Sequence, residues 1–141
     1  MKRSRASLVL IEQVVMILVF ALAAALCLKA FVWADTESAA LWERDKALRC
    51  AQNAAEVIKN CRGDMGAAVE IMGGSVNSGD WIIRYDENWQ ITEKEDTYCL
   101  VVSPRDDGLR YMASAEIMVY EYDTQLAALT AAWQEVAADE G

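Results

Sequence analysis

Glu12 is the residue of this sequence whose surroundings most need a chemical explanation. It lies between Leu8-Val-Leu-Ile11 and an uncharged apolar run from Val14 to Leu28. A carboxylate in such a stretch costs about 2.5 to 3.5 kcal/mol at the centre of a bilayer and less toward its edge. Two interpretations are open. If a membrane span begins at Val14, Glu12 lies among the lipid headgroups, but if Leu8 to Ile11 is also embedded, Glu12 needs a specific cationic partner.

The four cysteines are the other candidates for chemistry. Cys27 lies in the apolar run, where we expect it to serve packing. Cys50 and Cys61 lie on a predicted helix with a separation of about 16 Å, which exceeds the roughly 7 Å limit for a disulfide. Cys99 reaches one of these two if its strand packs on the helix. A single bridge from Cys99 to Cys50 or Cys61, or thiols that stay free, are both open.

Catalytic and metal-binding groups are scarce. Histidine, the commonest general base and metal ligand, does not occur. The acidic clusters do not follow a calcium-loop spacing, so we expect them to be solvated turn residues; they are Glu93, Glu95, Asp96, Asp106 and Asp107. We therefore expect no enzyme activity, no bound metal and no cofactor.

Charge is divided unevenly along the chain, whose formal net charge is −9. Lys2, Arg3 and Arg5 precede the first acidic residue, whereas the part from Asp35 onward holds 21 acidic and 9 basic side chains. The positive-inside rule places the N-terminus in the cytoplasm and the acidic part across the membrane. An acidic domain repels phosphate backbones, so we expect no nucleic acid to bind it.

The apolar segment, residues 8–34, is predicted to cross the membrane. Its uncharged run spans about 22 Å as a helix, less than a hydrocarbon core of about 30 Å, so flanking residues must help. Lys29 can extend toward the headgroups, while Phe31 and Trp33 suit the interface. A secretory signal cleaved after Ala34 is an alternative, because Val32 and Ala34 provide the small residues that such a site needs.

The stretch Ser7-Leu-Val-Leu-Ile-Glu12, behind a basic leader of residues 1–7, resembles the N-terminus of type IV pilin-like proteins, including minor pilins and pseudopilins. That family has glycine before the cleaved bond and F-T-L-I-E after it; here Ser7 and Leu8 replace the glycine and the phenylalanine. The resemblance implies that a prepilin peptidase cleaves after Ser7 and methylates the amine of Leu8. It also implies that Glu12 pairs with the N-terminal amine of a neighbouring subunit.

Residues 35–141 are predicted to form one extracytoplasmic pilin-like domain. No Pro or Gly occurs between Val14 and Arg62, which favours one kinked helix that ends near Gly63 and Gly66. Apolar residues at helical spacing predict its packing face. They are Leu41, Ala47, Leu48, Ala51, Ala54, Ala55, Ile58 and Cys61.

Strand signals dominate the rest of the domain, after a polar loop at residues 73–79. We predict a hairpin of Trp81–Tyr85 and Trp89–Thr92, then a strand at Tyr98–Val102 that ends at Pro104, a turn at residues 105–108, and a strand at Leu109–Tyr122. Residues 126–136 are helical by propensity. The resemblance, with the turn at Asp123-Thr124, favours a final antiparallel strand there.

The sequence thus predicts an α+β pilin-like fold, with a long N-terminal helix packed on an antiparallel sheet. The resemblance implies a structural subunit, a minor pilin or pseudopilin, of a type IV pilus, a type II secretion system or a competence filament. It implies the membrane, other pilin-like subunits and a prepilin peptidase as partners. The alternatives are a membrane-tethered binding or sensor domain that never polymerises, and a secreted protein released by cleavage after Ala34.

Overall fold

A computed structural model describes residues 3–108 and 111–135. Its elements are α1 (Arg3–Asn60), α2 (Met65–Met72), β1 (Ser75–Asn77), β2 (Asp80–Tyr85), β3 (Tyr98–Arg105), β4 (Met112–Glu121) and β5 (Thr124–Gln134). The strands form one antiparallel sheet in the order β1-β2-β3-β4-β5. The predicted α+β class, a long N-terminal helix packed on an antiparallel sheet, is confirmed.

The chain divides into two compact units, Met1–Leu41 and Trp42–Gly141. The described part of the first unit is helical throughout and belongs to α1. The second unit contains the remainder of α1, the short helix α2 and the sheet. All the buried apolar residues of the described chain lie in this second unit, so it holds the hydrophobic core.

Helix α1 begins at Arg3, a few residues before the helical segment predicted from Leu8, and continues without interruption to Asn60. Thr36 lies inside this helix. Its hydroxyl donates a hydrogen bond back to the carbonyl of Trp33 at 2.8 Å, an arrangement that a helix interior tolerates. With neither Pro nor Gly in this range, nothing in the local sequence forces a break.

The end of α1 is closed by backbone hydrogen bonds in a Schellman motif. The N–H of Gly63 donates to the carbonyl of Ile58 at 3.0 Å, and that of Arg62 to the carbonyl of Lys59 at 3.1 Å. The prediction that Gly66 also marks this end is wrong. It lies inside α2, whose first turn is capped by the Asp64 carboxylate that accepts from the backbone N–H of the third α2 residue at 3.1 Å.

The face of α1 that packs on the sheet consists mainly of small residues: Ala47, Ala51, Ala54 and Ala55, with Ile58, are buried. The buried side chains of the sheet in the same core are large; they are Trp81, Ile83, Leu100, Val102, Ile117 and Val119. Alanine lets the helix backbone approach side chains of this size closely. Leu41 and Leu48, which were predicted on the packing face, are 58% and 40% exposed, so that part of the prediction is wrong.

The loop predicted at residues 73–79 contains the short edge strand β1, which pairs with β2. Ser78 and Gly79 connect the two strands with φ of +54° and +94°. Positive φ at both central residues defines the type I′ turn, whose twist matches that of a hairpin. The sequence pattern missed this strand because it is only three residues long.

The strand predicted at Trp89–Thr92 does not form, and the strand that pairs with β2 along its length is β3. Trp89 has a φ of +60°, outside the strand region. The Asp86 carboxylate accepts two backbone N–H groups of the loop, at 2.8 and 2.9 Å, and holds it in a turn. Only Ile91 returns to the sheet, through a single bridge.

Strand β3 continues through Pro104, where the sequence predicted that it would end. Its pairing with β2 stops at Val102, whereas its pairing with β4 continues to Arg105. Proline is tolerated here because this end of β3 has a neighbouring strand on one side only. Strand β4 lies within the strand predicted at Leu109–Tyr122 but is shorter at both ends, because Tyr111 and Tyr122 lie in turns with φ of +78° and +50°. Residues 109 and 110 lie outside the described residues.

Strand β5 confirms the prediction of a final antiparallel strand over a helix. Its pairing with β4 along the whole strand overrides the helical propensity of its alanines. Trp133 packs against the backbone at Gly63, where a Cβ atom would lie 2.6 Å from the indole ring. Val136, the last residue of the predicted strand, lies outside the described residues.

Candidate functional site

The candidate functional site is the surface of α1 from Ser7 to Val32, which we call the apolar helix surface. Its side chains are exposed, and one stretch of the helix is long and apolar enough to cross a membrane, by length and composition. Leu10, Phe20 and Leu28 are each at least two-thirds exposed. An apolar surface of this extent is covered by lipid or by another protein in any stable state.

Glu12 lies on the apolar helix surface, as the sequence predicted. The side chains one helical turn before and after it are Leu8, Val9, Val15 and Met16, none of which offers a charge or a hydrogen bond. The ion pairs between described residues all involve Arg49, Arg84 or Arg105 in the second unit. Within this stretch, Glu12 is a carboxylate among hydrocarbon side chains.

Ser7 and Leu8, the predicted cleavage and methylation residues, both lie in the helical part of the chain with exposed side chains. The leader residues Met1 and Lys2 lie outside the described residues. Proteases act on extended backbone, so cleavage after Ser7 requires the first turns of α1 to fray. Helix ends open at little cost in free energy, so this requirement is easily met.

The three cysteines of the second unit are free thiols, and the structure does not bring Cys99 to either helix cysteine. Cys99 lies between Tyr98 and Leu100, both of which face the core and α1. Side chains alternate along a strand, so Cys99 points to the opposite face of the sheet. Cys50 and Cys61 pack against the core. The bridge considered from the sequence would therefore have to cross the sheet.

We expect no disulfide among these cysteines. Purified without reductant, then unfolded and alkylated, the protein should gain mass corresponding to all four thiols, as a reduced control does. In the folded state Cys50 and Cys99 should react slowly at neutral pH, because burial raises the pKa of both thiols and the thiolate is the nucleophile. A non-reducing peptide map that links Cys99 to Cys50 or Cys61 would contradict the strand orientation described above.

The acidic residues that the sequence placed in turns do lie in loops, and three of these five carboxylates have a polar partner. Asp106 accepts from the backbone N–H of Gly108 at 3.0 Å, and Asp107 accepts from the hydroxyl of Ser114. Asp96 lies 3.7 Å from the Arg84 guanidinium. Among the described residues, no three acidic or cysteine side chains are grouped so that they could hold a metal ion.

Four aromatic side chains of the second unit are buried in the core: Trp81, Tyr85, Trp89 and Tyr98. Trp89 stacks on Tyr98 with ring centroids 4.0 Å apart, and the indole N–H of Trp81 donates to the carbonyl of Gly73 at 2.9 Å. Burial raises the pKa of the Tyr85 phenol, and the nearby Cys50 raises it further. Trp33 is 70% exposed and directly follows the apolar helix surface, at the end where an interfacial residue was predicted.

Sequence reasoning missed one feature of functional interest, the free edge of β5. The signal was present, because no charged residue and no proline occurs from Thr124 to Gln134. It could not be interpreted without the strand order, since a central strand of a sheet has the same composition.

Fold and site together define a small α+β domain that follows a long helix with an apolar N-terminal stretch. No family model, no curated protein and no solved structure matches this chain. The function is therefore argued from the apolar helix surface and its one carboxylate.

Proposed function

We propose that this chain is a structural subunit of a type IV pilin-like filament, a minor pilin or pseudopilin, and not an enzyme. The filament would belong to a type IV pilus, a type II secretion system or a competence apparatus. The observation that carries the proposal is Glu12, a carboxylate on an exposed apolar helix with no oppositely charged residue one turn away.

Either lipid or neighbouring subunits could cover the apolar helix surface. Lipid covers the hydrocarbon side chains but leaves the Glu12 carboxylate unpaired, at the cost that any buried charge carries. The same surface of neighbouring subunits covers those side chains equally well. A neighbouring subunit would also supply a cation, because cleavage after Ser7 would leave a free amine on its Leu8. When a buried carboxylate pairs with such an amine, the pair favours one register between the two packed helices.

The topology of the proposed subunit follows from its charges. The cations of the leader hold residues 1–7 in the cytoplasm before cleavage, and the acidic domain lies on the far side of the membrane. Before assembly the subunit is a single-pass membrane protein whose partners are lipid and the prepilin peptidase. After assembly its partners are other pilin-like subunits.

The mature N-terminus tests the proposal against its alternatives. Intact-mass measurement of the protein purified from its own membranes should give a chain that begins at Leu8 and carries one added methyl group. A chain that begins at Met1 would indicate a tethered domain that is not processed. A chain that begins at Asp35 would indicate a secreted protein, and either result would overturn the proposal.

Processing should depend on the residue before the cleaved bond. Co-expression with a prepilin peptidase should remove residues 1–7, and Ser7→Gly should increase the cleaved fraction, because glycine is the residue that the family has there. Ala6→Gly is the matched control, since it makes the same kind of change to the helix one position earlier and should not increase cleavage. Quantitative mass spectrometry of the two N-terminal forms measures the effect. If Ser7→Gly and Ala6→Gly behave alike, peptidase recognition is not involved.

A further inference from the structure

The outer edge of β5 is the longest unpaired strand edge in the described sheet. β5 spans 11 residues and pairs with β4 alone, whereas the opposite edge strand, β1, spans 3. No other described strand pairs with β5. An exposed edge presents unpaired N–H and C=O groups, which form a template for a further strand.

The backbone groups that point outward can be assigned from one hydrogen bond. The N–H of Glu135 donates to the carbonyl of Tyr111 at 3.0 Å, and these two residues continue the register of β4 and β5. In an antiparallel pair the bonded residues alternate, so every second residue of β5 directs its backbone groups away from β4. Those residues are Ala128, Thr130, Ala132 and Gln134. They offer alternating donors and acceptors along about 20 Å of edge.

The usual protections of an edge strand are missing from this part of β5. Edges are commonly blocked by charged side chains, proline or a bulge. β5 contains no charged residue and no proline, in a chain with a net charge of −9. The bulge in its pairing lies near Tyr120, and from Ala127 to Gln134 the register is regular. The edge from residue 127 to residue 134 therefore carries none of these three protections.

The side chains beside this edge also suit a partner strand. Leu129 and Trp133 are only half-buried on the core face, so a neighbouring strand would cover them further. On the other face, Ala128, Thr130 and Ala132 are small and exposed. They leave space for the side chains of the added strand.

The charges at the two ends of β5 decide between possible occupants. Asp123 precedes the strand and Glu135 follows it, and both are exposed. If a second copy paired antiparallel along the full strand, Asp123 of each copy would face Glu135 of the other. Like charges directly opposite each other destabilise a strand pair. A segment with a cation at each end would instead be attracted to Asp123 at one end of β5 and to Glu135 at the other.

We propose that the edge of β5 binds an extended segment of another protein, with an uncharged middle and a basic residue at each end, as an added antiparallel strand. Backbone hydrogen bonds to Ala128, Thr130, Ala132 and Gln134 would provide the affinity, and Asp123 and Glu135 would set the register. The inference concerns the second unit only and does not depend on the filament proposal.

A synthetic peptide tests this inference on the full chain in detergent micelles. The probe is a capped peptide of alternating Thr and Val, long enough to pair from Asp123 to Glu135, with Lys at both ends. N-methyl groups on alternate residues leave it one edge that can pair and prevent it from aggregating. We expect saturable binding, measured by titration calorimetry. The same peptide with Glu at both ends should bind at least about tenfold more weakly at low salt, with a smaller difference at high salt.

Two variants show whether the peptide binds at the β5 edge. Ala132→Pro removes an outward N–H and no hydrogen bond to β4, and Thr130→Lys puts a charge on the edge, so each should weaken binding at least about tenfold without a large change in Tm. Thr130→Val is the matched control and should bind like the wild type. Equal binding by wild type and Ala132→Pro, or no binding of the Lys-ended peptide, would overturn the inference. A dimer of the chain that Ala132→Pro dissociates would also overturn it, in favour of a second copy.

Discussion

Glu12→Ala is expected to abolish, or reduce at least about tenfold, incorporation of the chain into filaments. In the proposed assembly the Glu12 carboxylate neutralises the N-terminal amine of a neighbouring subunit in surroundings of low dielectric. Removal of one partner leaves the other charge buried and unpaired, which typically costs about 3 to 5 kcal/mol. Filament shearing, followed by quantification of sheared and membrane fractions at matched expression, measures the effect.

Membrane insertion of Glu12→Ala should not decrease. An apolar helix that loses an unpaired carboxylate inserts at least as well as before, because the desolvation cost of the charge disappears. Membrane levels and the fold of the second unit should therefore be unchanged in Glu12→Ala. Gln13→Ala is the matched control, since it removes an adjacent polar side chain without a charge and should assemble normally. Equal incorporation of Glu12→Ala and wild type would eliminate the proposed role of this residue.

Gly74→Ala is expected to destabilise the second unit by about 2 to 5 kcal/mol. Gly74 has a φ of +91°, where alanine costs about 1 to 2 kcal/mol. Its Cβ would also lie closer than van der Waals contact to the carbonyl oxygen of Ile82 and to the side chain of Ile83. The carbonyl belongs to strand β2 and cannot move away without disturbing the sheet, so overpacking adds about 1 to 3 kcal/mol.

Gly79→Ala separates the two contributions. Gly79 has nearly the same backbone angle, a φ of +94°, but no atom lies within 4 Å of an added Cβ. Gly79→Ala should therefore lower the free energy of unfolding only by the backbone cost of about 1 to 2 kcal/mol. Thermal unfolding of both variants, followed by circular dichroism, should show a decrease in Tm for Gly74→Ala that is clearly the larger. Equal decreases would mean that the contact with β2 relaxes at no cost.

The parts of the fold that follow from local periodicity were predicted from the sequence. The continuous helix, its alanine stripe and the strands β2 to β4 each have the pattern of their own structure within a short window. The exposure of Leu41 and Leu48 was not predictable in this way. Hydrophobicity alone would bury leucine before alanine. The side chains of the sheet are large, however, so the helix residues that contact them closely are the small ones.

The errors in the sheet concern pairing and direction, which depend on residues far apart in the chain. Trp89 belongs to a strand by composition but lies in a turn held by Asp86. Cys99 is on the strand expected for it, yet alternation along that strand turns its thiol away from the helix. Pro104 was predicted to end β3. The sequence does not show that β3 pairs with β2 only as far as Val102, so that Pro104 has a neighbouring strand on one side only.

The candidate site can be recognised from the sequence alone, because it depends on the difference between one charged residue and the apolar residues around it. A single carboxylate in a long apolar run is visible without any tertiary structure. The partner of Glu12 in a filament could not be derived in the same way, because it would be an amine of another molecule. The β5 edge was missed for a related reason, since whether a strand is an edge depends on the whole sheet.

The strand order has a consequence for how the domain folds. Every strand of the sheet pairs with the strand that follows it in the chain, so the contacts between strands are local. Sheets of this kind have a low contact order and fold faster than those built from distant strands. As the chain emerges from the ribosome, N-terminus first, each hairpin can form as soon as its second strand emerges. β5 is added last, so the open edge of the growing sheet moves along the chain until it reaches β5.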